Sequence, residues 1–165
     1  MEKGKKLLIF LYVTLTLSLI AVWGQSCISK EESTVTSDAV VEIITPIDQL
    51  EPGYRSENGW TYVQLSEFVR KLAHVVEYIA VSFQLMCIFL LRGRKKLFDY
   101  INCLFCGMLI ALIDETIQLF SNRGSEIRDI WIDLLGCLIG ILGAFFVGWM
   151  VRRSRIKRIK AGHEQ

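Results

Sequence analysis

Four near-continuous apolar runs constrain this chain more than anything else in it. Leu7–Trp23, Ala73–Leu91, Ile101–Phe120 and Ile130–Val151 are each about the length that crosses a hydrocarbon core of roughly 30 Å as a helix. A soluble domain of 165 residues would instead scatter its apolar positions through periodic stretches of about 10 to 15. With 52% hydrophobic residues and only two prolines, the chain reads as neither disordered nor fibrous. The expectation is an all-α, polytopic membrane protein: one domain over residues 1–165, built as a four-transmembrane-helix bundle. A net charge of +2, without interleaved aromatic and basic residues, excludes a nucleic-acid partner.

Direction follows from where lysine and arginine sit, because positive residues resist translocation. Lys3, Lys5, Lys6, Arg92, Arg94, Lys95, Lys96, Arg152, Arg153, Arg155, Lys157, Arg158 and Lys160 are thirteen of the nineteen, and all flank alternate span ends. The same segments hold only Glu2, Asp99 and Glu164 of 17 acidic residues. Both termini are therefore predicted to be cytoplasmic, with an outer loop over 24–72 and a basic tail over 152–165 resting on anionic lipid. The first span is expected to be an uncleaved anchor. Its small-residue cleavage pattern at Val22–Ser26 is poor, and Gly24-Gln25-Ser26-Cys27 is a weak lipoprotein box. The loop is serine- and threonine-rich at first, carries both prolines, and turns helical from Tyr62 onward.

The spans are not clean. His74 and Glu77 lie in the second, Asp114, Glu115 and Gln118 in the third, and Asp133 in the fourth. An acidic residue at a span centre costs about 2.5 to 3.5 kcal/mol on insertion scales, so such residues point to a site with named partners. Glu77 lies roughly 6 Å below Ala73, Glu115 roughly 7 Å from Phe120, and Asp133 roughly 6 Å from Asp129. Antiparallel alternation alone puts those three ends in one slab, and the charge distribution makes it the outer leaflet.

Helical spacing sorts the faces. Arg70, His74 and Glu77 line one stripe, and Lys71, His74 and Tyr78 the next; Arg70 or Lys71 is placed to pair with Glu77. On the third span Gln118 lies four residues from Asp114 and three from Glu115. On the fourth, Asp129, Asp133, Gly136 and Gly140 recur by four, three and four, and Gly136-x-x-x-Gly140, continued by Ala144, permits close helix approach. The acidic face and the packing face thus coincide, turning the acids inward. Between these spans Gly124 permits a tight turn and holds Arg123 near the carboxylates. Its forked guanidinium suits a carboxylate or an anionic ligand.

These residues resemble the VanZ-like family of small bacterial membrane proteins, named after a component linked to teicoplanin resistance. The carriers are Arg70-Lys71-Leu72-Ala73-His74 with Glu77-Tyr78, then Asp114-Glu115 with Gln118 and Phe120, then Arg123, Asp129 and Asp133 ahead of Gly136 and Gly140. The resemblance implies a bacterial cytoplasmic-membrane protein, with low-level resistance to lipid-tailed glycopeptides in some members. It brings no catalytic residues with it. Two departures stand out: relatives often carry histidine where this chain has Ile117, and Asn occurs where it has Asp133, which makes the charge at 133 optional.

The resulting expectation is a polar pocket in the outer half of the bundle. It is lined by Arg70, Lys71, His74, Glu77, Tyr78, Asp114, Glu115, Gln118, Arg123, Asp129 and Asp133, with Gly136, Gly140 and Ala144 as packing positions. Its partners would be membrane lipid and a lipid-tailed glycopeptide or cell-wall precursor, with no metal and no cofactor. The alternatives are a buried network that only pairs helices, a small transporter or flippase, and a metal-assisted hydrolase. In the last, His74, Glu77, Asp114, Glu115, Asp129 and Asp133 would form an oxygen-rich shell. No paired-histidine zinc motif is present, so magnesium would suit that shell better. Cys27, Cys87, Cys103, Cys106 and Cys137 read as packing thiols rather than a redox pair, because Cys103-x-x-Cys106 lies within a span.

Overall fold

A run of apolar residues crossing a bilayer must satisfy its backbone polar groups internally, and a helix does so within one segment. The computed structural model describes residues 2–28, 30–44, 61–93, 97–121 and 127–163. They form five helices: α1 (Glu2–Ser26), α2 (Lys30–Ile44), α3 (Tyr62–Leu91), α4 (Leu97–Phe120) and α5 (Ile127–His163). All but α2 are long and apolar enough to cross a membrane. Their outward faces are apolar: Phe10, Leu17 and Ile20 on α1, Leu109 and Ile113 on α4, and Leu142 and Phe146 on α5 are exposed. That pattern suits a lipid surround, where the apolar side chains face hydrocarbon rather than water.

α2 departs from the polar loop read in the sequence. Its segment is rich in serine, threonine and acids. The helix rests on tertiary packing: Val41 is buried, as is Ser37, and the Tyr62 hydroxyl of α3 donates to the Asp38 carbonyl at 3.4 Å. The start of α3 falls at the residue where the sequence turns helical. Thr61 caps it, accepting from the Gln64 amide at 3.4 Å while its own amide donates to Gln64 Oε1 at 3.0 Å. At the other end Gly93 adopts φ 75°, a left-handed conformation that closes the helix after Leu91.

The most extensive helix pair is α3 with α5. α5 approaches α3 along its small-residue stripe. A Cβ at Gly136 would stand 2.8 Å from the Val75 carbonyl oxygen, and one at Gly140 would collide with Ser82 Oγ and the Ile79 carbonyl. Ala144, one turn further, is buried with Met86, Cys103 and Ile141. α4 closes on α5 at Gly107, where a Cβ would meet Cys137 Sγ at 2.6 Å. All five cysteines are free thiols, and Cys103 and Cys137 are buried.

Candidate functional site

Chain direction brings the polar residues to one end of the bundle. The last residue of α1, Ser26, donates its hydroxyl to Asp114 Oδ1 near the end of α4. Just past α4, the Ser121 hydroxyl donates to the Ser26 carbonyl at 2.8 Å. Across the bundle, Lys71 Nζ in the early turns of α3 donates to Asp129 Oδ1 in the first turn of α5 at 2.7 Å. The end of α1, the start of α3, the end of α4 and the start of α5 therefore share a level, and the acids of the spans share it with them.

At the centre of that level, carboxylate oxygens of Asp114, Glu115 and Asp133 lie within 4.8 Å of one another, and all three side chains are buried. The Gln118 amide spans the two α4 acids, donating to Asp114 Oδ2 at 2.9 Å and to Glu115 Oε1 at 3.5 Å. That geometry follows directly from the four- and three-residue spacings on one helix. Carboxylates this close repel one another unless positive charge or protons lie between them.

Beside the acids is a small polar cavity of about 20 Å³, lined by Arg70, Lys71, His74, Glu115, Gln118, Asp129, Ile132 and Asp133. It has room for one water or one small ion. A second, larger cleft of about 350 Å³ lies against it, lined by Gln25, Ile28, Thr36, Ser37, Val40, Val69, Arg70, Ala73 and His74. Its wall is mostly apolar, and it is built between the end of α1, α2 and the first half of α3. Arg70 and His74 belong to both cavities and separate them.

Several sequence-derived placements change here. Among the described residues, no ion pair joins Arg70 or Lys71 to Glu77. Seven residues along a helix separate Arg70 from Glu77 by roughly 10 Å. The face of α3 that presents Lys71 looks toward α5, so Lys71 takes Asp129. Glu77 instead lies beside His74, whose Nδ1 is 3.7 Å from Glu77 Oε2. Arg70 makes no ion pair among the described residues. Tyr78 is not at the cavity wall: it is fully buried with Val22, Val81, Ala111 and Cys137, in the space that the absent side chain of Gly136 leaves. Asp114 is fully buried behind the cavity rather than facing it. Arg123 lies outside the described residues. Of the six residues considered for an oxygen-rich metal shell, Asp114, Glu115 and Asp133 each bring a carboxylate oxygen within 4.8 Å of the others.

Ser26, Ser121 and the α2 residues at the cleft were not among the predicted site residues. Ser26 carried one usable signal: it ends the first span, and an antiparallel bundle puts that end level with Asp114. The α2 residues carried none, since their position depends on how a short helix folds back onto α3.

A family model described as VanZ/LLP1 matches residues 7–148, which take in most of each of the four spans and every described residue of the site. No curated protein and no solved structure matches the chain.

Proposed function

This chain belongs to the VanZ/LLP1 family, and we propose that it engages an amphiphile with an anionic headgroup at the outer face of a bacterial cytoplasmic membrane. The observation that carries this reading is the shared wall of the two cavities. Arg70 and His74 stand between a small polar chamber and an apolar cleft of about 350 Å³, so one ligand can place its headgroup on the basic side chains and its tail among Ile28, Val40, Val69 and Ala73. Arg70 is the natural anchor. Lys71 is occupied by Asp129 at 2.7 Å, whereas the Arg70 guanidinium has its fork available for a carboxylate or phosphate.

The outer placement rests on the one-sided distribution of lysine and arginine. A glycopeptide with an acyl tail or a lipid-linked cell-wall precursor has the required form, and a role in teicoplanin-type resistance follows if the ligand is the former. The test compares growth inhibition by teicoplanin and by vancomycin in cells carrying the parent chain, Arg70→Ala, His74→Ala or no chain. Protection against teicoplanin that is lost in Arg70→Ala supports the reading. Equal sensitivity with and without the parent chain removes the resistance role. Binding of a fluorescent acyl-glycopeptide to the purified chain, undiminished by Arg70→Ala, would remove the headgroup anchor.

A further inference from the structure

Carboxylates withdrawn from water into a helical bundle need partners for both their oxygens and their charge. Asp114 has partners for both oxygens, Ser26 on one and Gln118 on the other. Asp133 does not. It is 2% exposed, and among the described residues it makes no hydrogen bond or ion pair, although its oxygens lie with those of Asp114 and Glu115 inside the 4.8 Å cluster.

A second group nearby is unsatisfied in the same direction. Tyr78 is fully buried, and its hydroxyl has no hydrogen-bond partner among the described residues. Tyr78 belongs to one buried cluster with Ala111 and Cys137. Ala111 lies one turn before Asp114 on α4, and Cys137 one turn after Asp133 on α5, so the cluster adjoins the turns that carry the two acids. Buried hydroxyls usually find a partner. Here a buried phenol and a buried carboxylate, both without a hydrogen-bond partner among the described residues, belong to adjoining turns of the bundle.

The geometry points to a binding site for a hard divalent cation, held by carboxylate oxygens of Asp114, Glu115 and Asp133, with the Tyr78 hydroxyl bonded to a ligand or water of its shell. The donor set is all oxygen, which selects calcium- or magnesium-like ions over zinc or copper. Oxygens on opposite sides of a calcium ion stand about 4.6 to 5.2 Å apart, and the cluster is no wider than that. The charge also balances. Two positive charges among three carboxylates leave one negative charge, close to the basic side chain of Arg70 on the cavity wall. The polar cavity supplies the way in, since Glu115 and Asp133 line it while Asp114 lies behind. Nothing in this inference depends on an amphiphile occupying the neighbouring cleft.

The test is calorimetric titration of the full chain, purified in detergent at neutral pH, with CaCl2. The expected result is saturable uptake of one ion per chain. Removing one of three charged ligands by Asp133→Asn or Glu115→Gln weakens it at least tenfold, because affinity at such sites follows the ligand charge count. Tyr78→Phe keeps the ring and weakens it about tenfold, as loss of an outer-shell partner does. Glu42→Gln, on the exposed side of α2, binds as the parent does. Circular dichroism of each variant shows that the helices are retained. If Asp133→Asn does not fold, the parent and Glu115→Gln decide the matter. The site is overturned if the parent takes up no ion saturably. It is equally overturned if Asp133→Asn and Glu115→Gln bind calcium as tightly as the parent.

Discussion

Gly140→Ala probes the packing on which the site depends, and its effect can be worked from the contacts. An added methyl at Gly140 meets the Ile79 carbonyl and Ser82 Oγ well inside van der Waals distance, and the Phe83 amide nitrogen at 3.0 Å. Two of these are backbone atoms of α3. The third is held, because the Ser82 hydroxyl donates to the Tyr78 carbonyl at 2.6 Å. Nothing can rotate away, so α3 and α5 must move apart. Overpacking of this kind costs about 3 kcal/mol, the upper end of the usual range. Alanine recovers about 1 kcal/mol through its better helix propensity, which leaves a net loss of about 2 kcal/mol. For a chain of this size that corresponds to a fall in Tm of about 4 to 8 °C. Gly143 gives the internal control. A Cβ there meets only the Phe83 ring, at 3.6 Å, so Gly143→Ala keeps the propensity gain of about 1 kcal/mol and raises Tm by about 2 to 4 °C. Thermal unfolding in one detergent, read by circular dichroism, compares the pair. Equal shifts for the two variants, or a Gly140→Ala chain as stable as the parent, would refute the close approach of α3 and α5.

Further predictions follow from single contacts. Ser26→Ala strands one oxygen of Asp114 and is expected to lower stability by about 2 kcal/mol, measured in the same unfolding experiment. The Lys71–Asp129 pair is partly solvated, with side chains 29% and 25% exposed. A double-mutant cycle of Lys71→Met and Asp129→Asn should therefore yield a coupling of about 1 kcal/mol or less. Thr61→Ala removes the cap of α3 at a cost of about 1 kcal/mol, and hydrogen exchange should show faster opening confined to its first turn. Cys27 is exposed at the end of α1, whereas Cys103 and Cys137 are buried. An impermeant maleimide on intact cells should label Cys27 alone, and labelling only after the inner face is opened would reverse the proposed orientation.

The four spans are legible in the sequence because a bilayer imposes a length on apolar runs that no soluble fold imposes. The shared level of Asp114, Glu115, Asp129 and Asp133 is legible for a related reason: antiparallel spans bring alternate ends together whatever their rotation. Rotation is the part that remains hidden. Spacing puts Arg70, His74 and Glu77 on one stripe of α3 and Lys71, His74 and Tyr78 on the next, yet it does not say which stripe faces α5. The structure turns Lys71 toward Asp129 and packs Tyr78 into the core near Gly136. The glycine stripe on α5 hinted at the second outcome, since missing side chains leave room that a large residue on the partner helix can fill. α2 escapes a reading by pattern because its segment is rich in serine, threonine and acids and its place is set by packing on α3. That Asp133 and Tyr78 are both buried without a hydrogen-bond partner among the described residues is likewise invisible without coordinates.

The central claim is that polar groups from different spans meet at one end of the bundle, and thiol cross-linking tests it most directly. In a chain with its native cysteines replaced, Lys71→Cys combined with Asp129→Cys should join α3 to α5 through a short bifunctional thiol reagent. Lys71→Cys combined with Val147→Cys should not, because Val147 lies 18 residues further along α5, roughly 27 Å away. Linkage of the second pair with none of the first would put the start of α5 at the opposite end from the start of α3, and the shared polar level would not exist.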